Sequence, residues 1–586
     1  MGSRVPRRTF LALTLGAAAL PLAQACSPQA PTTKPETKAA EPPKPASTLG
    51  PAPAPAAQPT AAASGQSAAK PAAEAKPATE TKPAPKPTEG QPKRGGQVVQ
   101  AINWTYPTMD PHLSSIQYMV GYKGLYNGLV KFELVNPSTW EHKVVGDLAE
   151  SWEQPDPQTA IFKLKQGVTF HDGSEFDASV AAWNFMRARD HEKSQRKAQL
   201  AMLESADAVD KQTLRLRMKT PYAPLLRSMA YVTGADIPMM SKAHFDKVGE
   251  EAFQRNPSGT GPFKFKQWIA DDRLILDKNP NYFENGVDGK PLPYIDEFVG
   301  RFVPDPTVSL VDLQSGTLQI LEWVATKDAA TIKGNQGLEL HEMPWAGQIY
   351  FMAGFNTEAP PFNDLRVRQA ALHAIDRESM TKALGFGVGA PHFYPDWSSG
   401  SPGFDDAIPK NEFNPAKVKE LLTAAGHPNG VDVELKVIAR EPENTIGEFA
   451  QQMWKAQGIR TKLVSMERLA WIDEVRAKKF QSCFWRGTMV TSVDPDLLGT
   501  RIMCGGTSNW AQVCDPEIDK LMNEGAASLD AKKRDDVYKQ VLRMIQEKAY
   551  LGTGIAMPLL TASRKELRGL TFNYQVPNLD RIWLDK

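Results

Sequence analysis

Apolar and polar positions along most of this chain fall into two alternating rhythms. Thr213–Lys219 (TLRLRMK) and Val431–Ile438 alternate as half-buried strands do. Further strand-like runs stand at Val98–Trp104, Ala160–Leu164, Phe263–Trp268, Arg273–Leu276, Phe298–Val303, Leu338–Pro344, Ile349–Asn356, Arg460–Ser465 and Phe480–Trp485. Helical runs lie between many of them. Ser114–Leu129 sets Tyr118, Tyr122 and Tyr126 on one helix face, a spacing that more often marks a core than a ligand site. Asp177 is placed to cap a helix carrying Val180, Trp183 and Phe185. Asn414-Pro415 opens another helix, which Gly426 ends. Leu365–Ile375, Asn444–Gln457 and Lys532–Lys548 complete the helical set. Strands and helices mixed in this way predict an α/β chain with long insertions, not a repeat protein.

The first 94 residues follow neither rhythm. Arg4, Arg7 and Arg8 precede an apolar stretch, Phe10–Leu22, the build of an export signal over 1–26. Arg7-Arg8-Thr9-Phe10-Leu11 resembles a twin-arginine signal. Ala23-Gln24-Ala25-Cys26 resembles a lipobox whose Cys receives lipid, with simple cleavage after Ala25 as the alternative. Residues 27–94 are rich in Pro, Ala and Lys, lack aromatics, and have Leu49 as their only large aliphatic. Such a segment cannot bury enough apolar surface to offset ordering entropy, so it is expected to be a disordered, semi-extended tether.

The remainder is long enough for several domains and a large core: the chain has 586 residues, of which 41% are hydrophobic. A formal charge of +1 gives no electrostatic case for nucleic acid. Beyond the N-terminus no apolar run approaches the roughly 20 residues of a membrane span. The four cysteines (Cys26, Cys483, Cys504 and Cys514) form no CxxC, and nine His in no paired motif give no metal site. His171-Asp172 suggests a catalytic dyad at first sight. Adjacent turn residues rarely meet as base and orienter, however, and no GxSxG, HExxH or Walker-type loop accompanies them. A secreted hydrolase using His171-Asp172 or the carboxylates of Asp494 and Asp496 is therefore the lesser alternative, and no cofactor is expected.

Five stretches carry a resemblance. They are Asp147–Phe185 (DLAESW…FKLKQGVTFHDGSEFDA…), Gly259–Trp268 (GTGPFKFKQW) with Asn279–Phe283, Asp305–Gly316 (DPTVSLVDLQSG), Asn356–Arg377 (NTEAPPFNDLRVRQAALHAIDR) and Asn414–Gly426 (NPAKVKELLTAAG). In this order over Gly95–Lys586, they resemble the extracytoplasmic solute-binding proteins of ABC importers, family 5, the peptide/nickel class. The resemblance implies a two-lobed periplasmic-binding-protein-like fold of class II, with a ligand cleft between the lobes. Lobe I would be 95–352 plus 555–586 and lobe II 353–554, with crossings near Ile349–Asn356 and Leu551–Met557. It implies a monomeric, non-enzymatic protein outside the cytoplasm, tethered to the membrane through lipid. That protein would capture a small or peptide-like solute and hand it to a permease and its ATPase; a ligand sensor without transport is the alternative.

By the same resemblance four stretches face the cleft: Ser115, Ile116, Gln117 and Tyr118; Trp345; the turn at Trp397; and the loop holding Trp485, Arg486, Thr491 and Asp494. Core packing is an equal alternative for Trp345, Trp397 and Trp485. Peptide-binding members place an Asp against the peptide's ammonium where this chain has Thr491, and a hydroxyl cannot balance a buried ammonium. Arg486 can anchor a carboxylate or phosphate through its bidentate fork, or form a structural ion pair. Dipeptide-binding relatives carry a disulfide in the loop of Cys504 and Cys514, so one is expected here, with free thiols as the alternative. Cys483 reads as a small core residue.

Overall fold

The structure, a computed structural model, describes residues 91–102, 105–114, 120–136, 141–197, 199–230, 236–397, 401–488, 494–573 and 576–585. The calls at Cys26, at Ser115–Tyr118 and at Thr491 lie outside them, as does the tether up to residue 90.

An 11-stranded sheet runs through the chain. Its two longest strands, Leu338–Phe355 and Leu551–Arg564, lie side by side and antiparallel at its centre. On one flank follow Ile320–Glu322, Gln97–Ile102, Glu297–Phe302, Arg273–Lys278 and Phe263–Ile269. On the other follow Ser482–Thr488, Val431–Ile438 and Ile459–Met466. The two long strands divide the chain. The first half is everything before them together with the C-terminal end; the second half is what lies between them. The expected lobe boundaries fall inside these strands. The runs predicted separately at Leu338–Pro344 and Ile349–Asn356 are one strand, because its pairing with the return strand continues past a break. Met343 pairs with Leu559 and Gln348 with Met557, so five steps on one strand face two on the other. This bulge absorbs Pro344, whose ring nitrogen cannot donate to a ladder.

One apolar cluster belongs mainly to the first half and includes Val98, Tyr122, Phe162, Phe185 and Phe263. A second, with Trp397, Trp471 and Tyr538, belongs to the second half. A third crosses between them, uniting Ala101, Leu321 and Leu338 with Phe355, Leu435 and Trp454. Tyr122 and Tyr126 are buried, in line with the core reading of their spacing. The helix there is only Val120–Leu125.

The resembling motifs are scaffold ties. Asp177 caps helix Ala178–Asp190 by accepting from the N–H groups of Ser179 and Val180. His171 Nδ1 accepts from the Gly259 N–H at 3.2 Å, so Nε2 carries the proton donated to Gly261 O at 3.0 Å. Asp172 accepts from the Ser258 and Ser174 hydroxyls at 2.8 and 3.1 Å. Both ring nitrogens and the carboxylate are thus engaged in joining a turn to the GTGPF segment, and they form no dyad. Burial lowers the His171 pKa to about 4, which keeps the ring neutral. Among the described residues no helix is long and apolar enough to cross a membrane.

Candidate functional site

In sheets of this kind ligands collect outside the carboxyl ends of parallel strands. Each half presents one such edge. In the first half Gln97–Ile102 runs parallel to Glu297–Phe302 and Ile320–Glu322, so the segments after Ile102, Phe302 and Glu322 emerge together. In the second half Val431–Ile438 runs parallel to Ile459–Met466 and Ser482–Thr488, so the carboxyl ends of these three strands lie on one edge.

The first edge holds a groove of about 440 Å³, open to solvent, lined by Ala101, Pro304, Pro306, Leu321, Trp323 and Asp328. Trp323 is 37% exposed at φ 58°, a backbone conformation few large side chains adopt without a compensating role. Beside it, Glu322 accepts from Gln100 Nε2 at 2.6 Å. Burial pushes the Glu322 carboxyl up to about 8, so at neutral pH it is mostly protonated. Gln100 Oε1 is buried and has no hydrogen-bond partner among the described residues. The approach to Ser115–Tyr118 is pinned from below. Asp110, fully buried, takes Arg187 Nη2 at 2.7 Å and the His112 N–H at 2.9 Å. The Tyr126 hydroxyl donates to Met109 O at 2.7 Å.

At the second edge Arg440 Nε donates to Glu443 Oε1 at 2.7 Å, and Arg486 Nε stands 3.7 Å from the same oxygen. Glu443 opens helix Glu443–Ala456, where a carboxylate suits the helix dipole, and its side chain is wholly buried. Its Oε2 has no partner among the described residues. Two guanidinium groups thus converge on one buried carboxylate at this edge.

The other expected contacts are placed as follows. Trp397 is fully buried and donates its indole N–H to Pro402 O at 3.0 Å. Trp485 is 6% exposed within the second-half core. Asp494 is fully buried, with Oδ1 taking Arg534 Nη2 at 2.7 Å and the Asp496 N–H at 3.0 Å. Trp397 and Asp494, both expected as ligand contacts, have internal partners and are fully buried in this structure. Trp345 falls in the bulge of the long strand. Cys504 and Cys514 are joined by a disulfide, with Cα atoms 4.4 Å apart, while Cys483 is a buried free thiol.

Residues 143–509 match the model of the bacterial extracellular solute-binding proteins, family 5. The chain belongs to this family. A dipeptide-binding protein of Escherichia coli (strain K12) is 27% identical over 483 residues, covering 76% of this chain and 86% of that protein. Heme-binding protein A of Haemophilus influenzae is 28% identical over 480 residues, covering 75% and 82%. Among solved structures, HbpA2 from Haemophilus parasuis superposes with a TM-score of 0.74 at 23% identity, covering 84% of this chain and 100% of that one. NikA from Brucella suis in complex with Fe(III)-EDTA gives 0.72 at 20% identity, covering 83% and 98%. These likenesses carry the fold, a two-lobed binding protein. This family 5 protein is the substrate-binding component of an ABC importer, closing its lobes on a solute and delivering it to a permease.

Sequence reading missed Glu322, Trp323, Arg440 and Glu443 at the two edges. A signal for the first pair was their place at and just beyond the end of a short apolar strand, Ile320–Glu322. Glu443 and Arg486 lie 43 positions apart, and only the fold joins them.

Proposed function

We propose that this family 5 protein takes a small polar or peptide-like solute through an anionic end, held by Arg486 and Arg440. The lobes are residues 95–352 with 555–586, and 353–554; Ser115, Ile116, Gln117, Tyr118, Trp345 and Thr491 complete the contacts. Trp397, Trp485 and Asp494 form the scaffold behind them. The supporting observation is the pair of guanidinium groups over one buried carboxylate. The acids described near the edges also disfavour an ammonium. Glu322 is mostly protonated at neutral pH, Asp494 is committed to Arg534, and Glu443 is already shared. Relatives are named for dipeptides, glutathione and heme, all carboxylate-bearing molecules.

The protein acts as a monomer without catalysis, exported through its twin-arginine-like signal, held at the membrane by lipid on Cys26 and served by a permease and its ATPase. A Cys26→Ser chain should leave the membrane fraction in its own host. Mass spectrometry of co-purified solute, followed by calorimetry with free and N-acetylated di- to pentapeptides, tests the ligand reading. Losing a carboxylate partner for an ammonium costs roughly 3–5 kcal/mol, or some hundred- to thousandfold in affinity. Acetylation should therefore leave affinity unchanged, and Arg486→Gln should weaken binding. Submicromolar peptide binding abolished by acetylation overturns the reading.

A further inference from the structure

Away from the two long strands, the halves meet a second time. Tyr222 and Ala223 follow strand Thr213–Met218 of the first half's four-stranded sheet. The Tyr222 N–H donates to Pro157 O at 2.7 Å, which fixes this segment to the neighbouring hairpin. Across the divide, the Ala223 N–H donates to Ala526 O at 2.7 Å. The Tyr222 hydroxyl faces the Asp496 carboxyl. Leu497, next to Asp496, packs on the first-half cluster that contains Tyr222 and Leu225.

We propose that Tyr222 and Ala223, presented by the first half, and Asp496 and Ala526, presented by the second, form a latch that holds the closed state. It goes beyond the ligand reading and is independent of which solute is carried.

Arg534 ties the receiving side together. Its Nη2 donates to Asp494, which caps the short 3₁₀ helix Pro495–Leu498, and its Nε donates to Gly525 O at 3.1 Å. One side chain thereby fixes the residues beside both receiving groups, so the latch acts as a unit. Among the described residues the contact is small: one backbone hydrogen bond, the facing Tyr222 and Asp496, and one apolar side chain, weak enough to open again for release.

Closure also half-buries Asp496. The charged and titratable groups around it are Asp494 on its own segment, Arg534 and Tyr538 on helix Ala531–Glu547, and Tyr222 opposite. Burial and the Asp494 charge raise the Asp496 carboxyl to about 7, partly offset by the Tyr222 hydroxyl and Arg534. An opened Asp496 returns toward the ordinary carboxylate value. The closed state therefore binds the proton more tightly. Acid favours closure, by up to about tenfold per pH unit as pH falls from 7 toward 4.

The test uses the full chain carrying Cys26→Ser, with fluorophores at Val209→Cys and Leu469→Cys, which are 55% and 64% exposed on opposite halves. Single-molecule energy transfer without ligand, at pH 8 and pH 5, reads the open and closed populations. The unmodified latch should close further at pH 5. Tyr222→Phe, which keeps the ring, should shift the balance roughly tenfold toward open. Asp496→Asn should make it independent of pH. Identical distributions for the parent and Tyr222→Phe overturn the latch, as does a pH response that survives Asp496→Asn. If neither variant folds, a parent distribution unchanged between pH 8 and pH 5 overturns it alone.

Discussion

Replacing Arg377 should unfold the second half far more readily than its place in a helix suggests. It stands at the start of helix Arg377–Gly385 and is 3% exposed. Its Nε donates to Thr553 O at 2.8 Å and His392 O at 3.2 Å; its Nη1 donates to Asn411 O at 2.8 Å and Ile375 O at 3.2 Å. Its guanidinium lies 4.9 Å from the centre of the Phe393 ring. One cation thus joins the return strand, two connecting segments and a helix end. Burial lowers its pKa to about 10, which still leaves it charged at neutral pH. Arg377→Leu removes two well-formed charge-assisted bonds and strands buried carbonyls. At about 1.5–3 kcal/mol for each such bond, the loss is roughly 3–6 kcal/mol, a large part of a domain's usual 5–15 kcal/mol. Urea unfolding at pH 7, followed by tryptophan fluorescence, should show the second-half transition at lower urea with its slope kept. Arg377→Lys, with one nitrogen in place of three, should fall between. A shift below about 1 kcal/mol for Arg377→Leu would falsify the assignment of the guanidinium as the tie.

The disulfide closes a loop of sequence separation 10, so Cys504→Ser with Cys514→Ser should cost about 2–3 kcal/mol in the chain-entropy view. Thiol titration of the denatured, unreduced protein, with Cys26 blocked by lipid or absent, should find Cys483 alone. A Cβ on Gly259 would lie 2.1 Å from Leu125 O, and one on Gly261 2.3 Å from Gly124 O. Since backbone cannot yield as a side chain does, each Gly→Ala change should destabilise by about 1–3 kcal/mol in thermal melts; changes within about 0.5 kcal/mol refute the close approach. His171 has its folded pKa lowered from 6.5 to about 4, so its contribution is full above pH 6.5 and is lost as pH falls toward 4. His171→Gln should therefore reduce the acid-induced loss of stability by up to about 3 kcal/mol, and an unchanged acid limb in urea titrations counts against the neutral, doubly bonded ring.

The stretches that make the family legible are those the fold uses to tie itself together. Asp147 of the DLAESW stretch accepts from Asn127 Nδ2 and the Gly128 N–H. FHDG meets GTGPF through His171 and the glycines. Arg368 of RQAALHAIDR donates to Phe362 O and Lys548 O, and Arg377 does the work described above. Each is a buried polar group whose partner is dictated by backbone geometry, so the residue type is constrained and can be read from the chain. Strand and helix rhythms are readable for the same reason, since burial of one face sets them. Where rhythm failed, at the long strand, pairing with a distant partner carried the ladder across Pro344, which local pattern had taken as an end. The proposed solute contacts and latch follow different rules. Arg486 takes its meaning from Glu443, and Tyr222 from Asp496 in the other half of the chain; neither spacing leaves a periodic trace. Trp397 and Asp494 look in sequence like cleft residues, yet one packs in the core and the other holds Arg534. A scaffold whose recognisable residues are spent on its own carbonyls and turns can keep its fold while its edges change, so membership in the family fixes the fold, and the solute has to be read from the edges, where Arg486 and Arg440 are the proposed contacts.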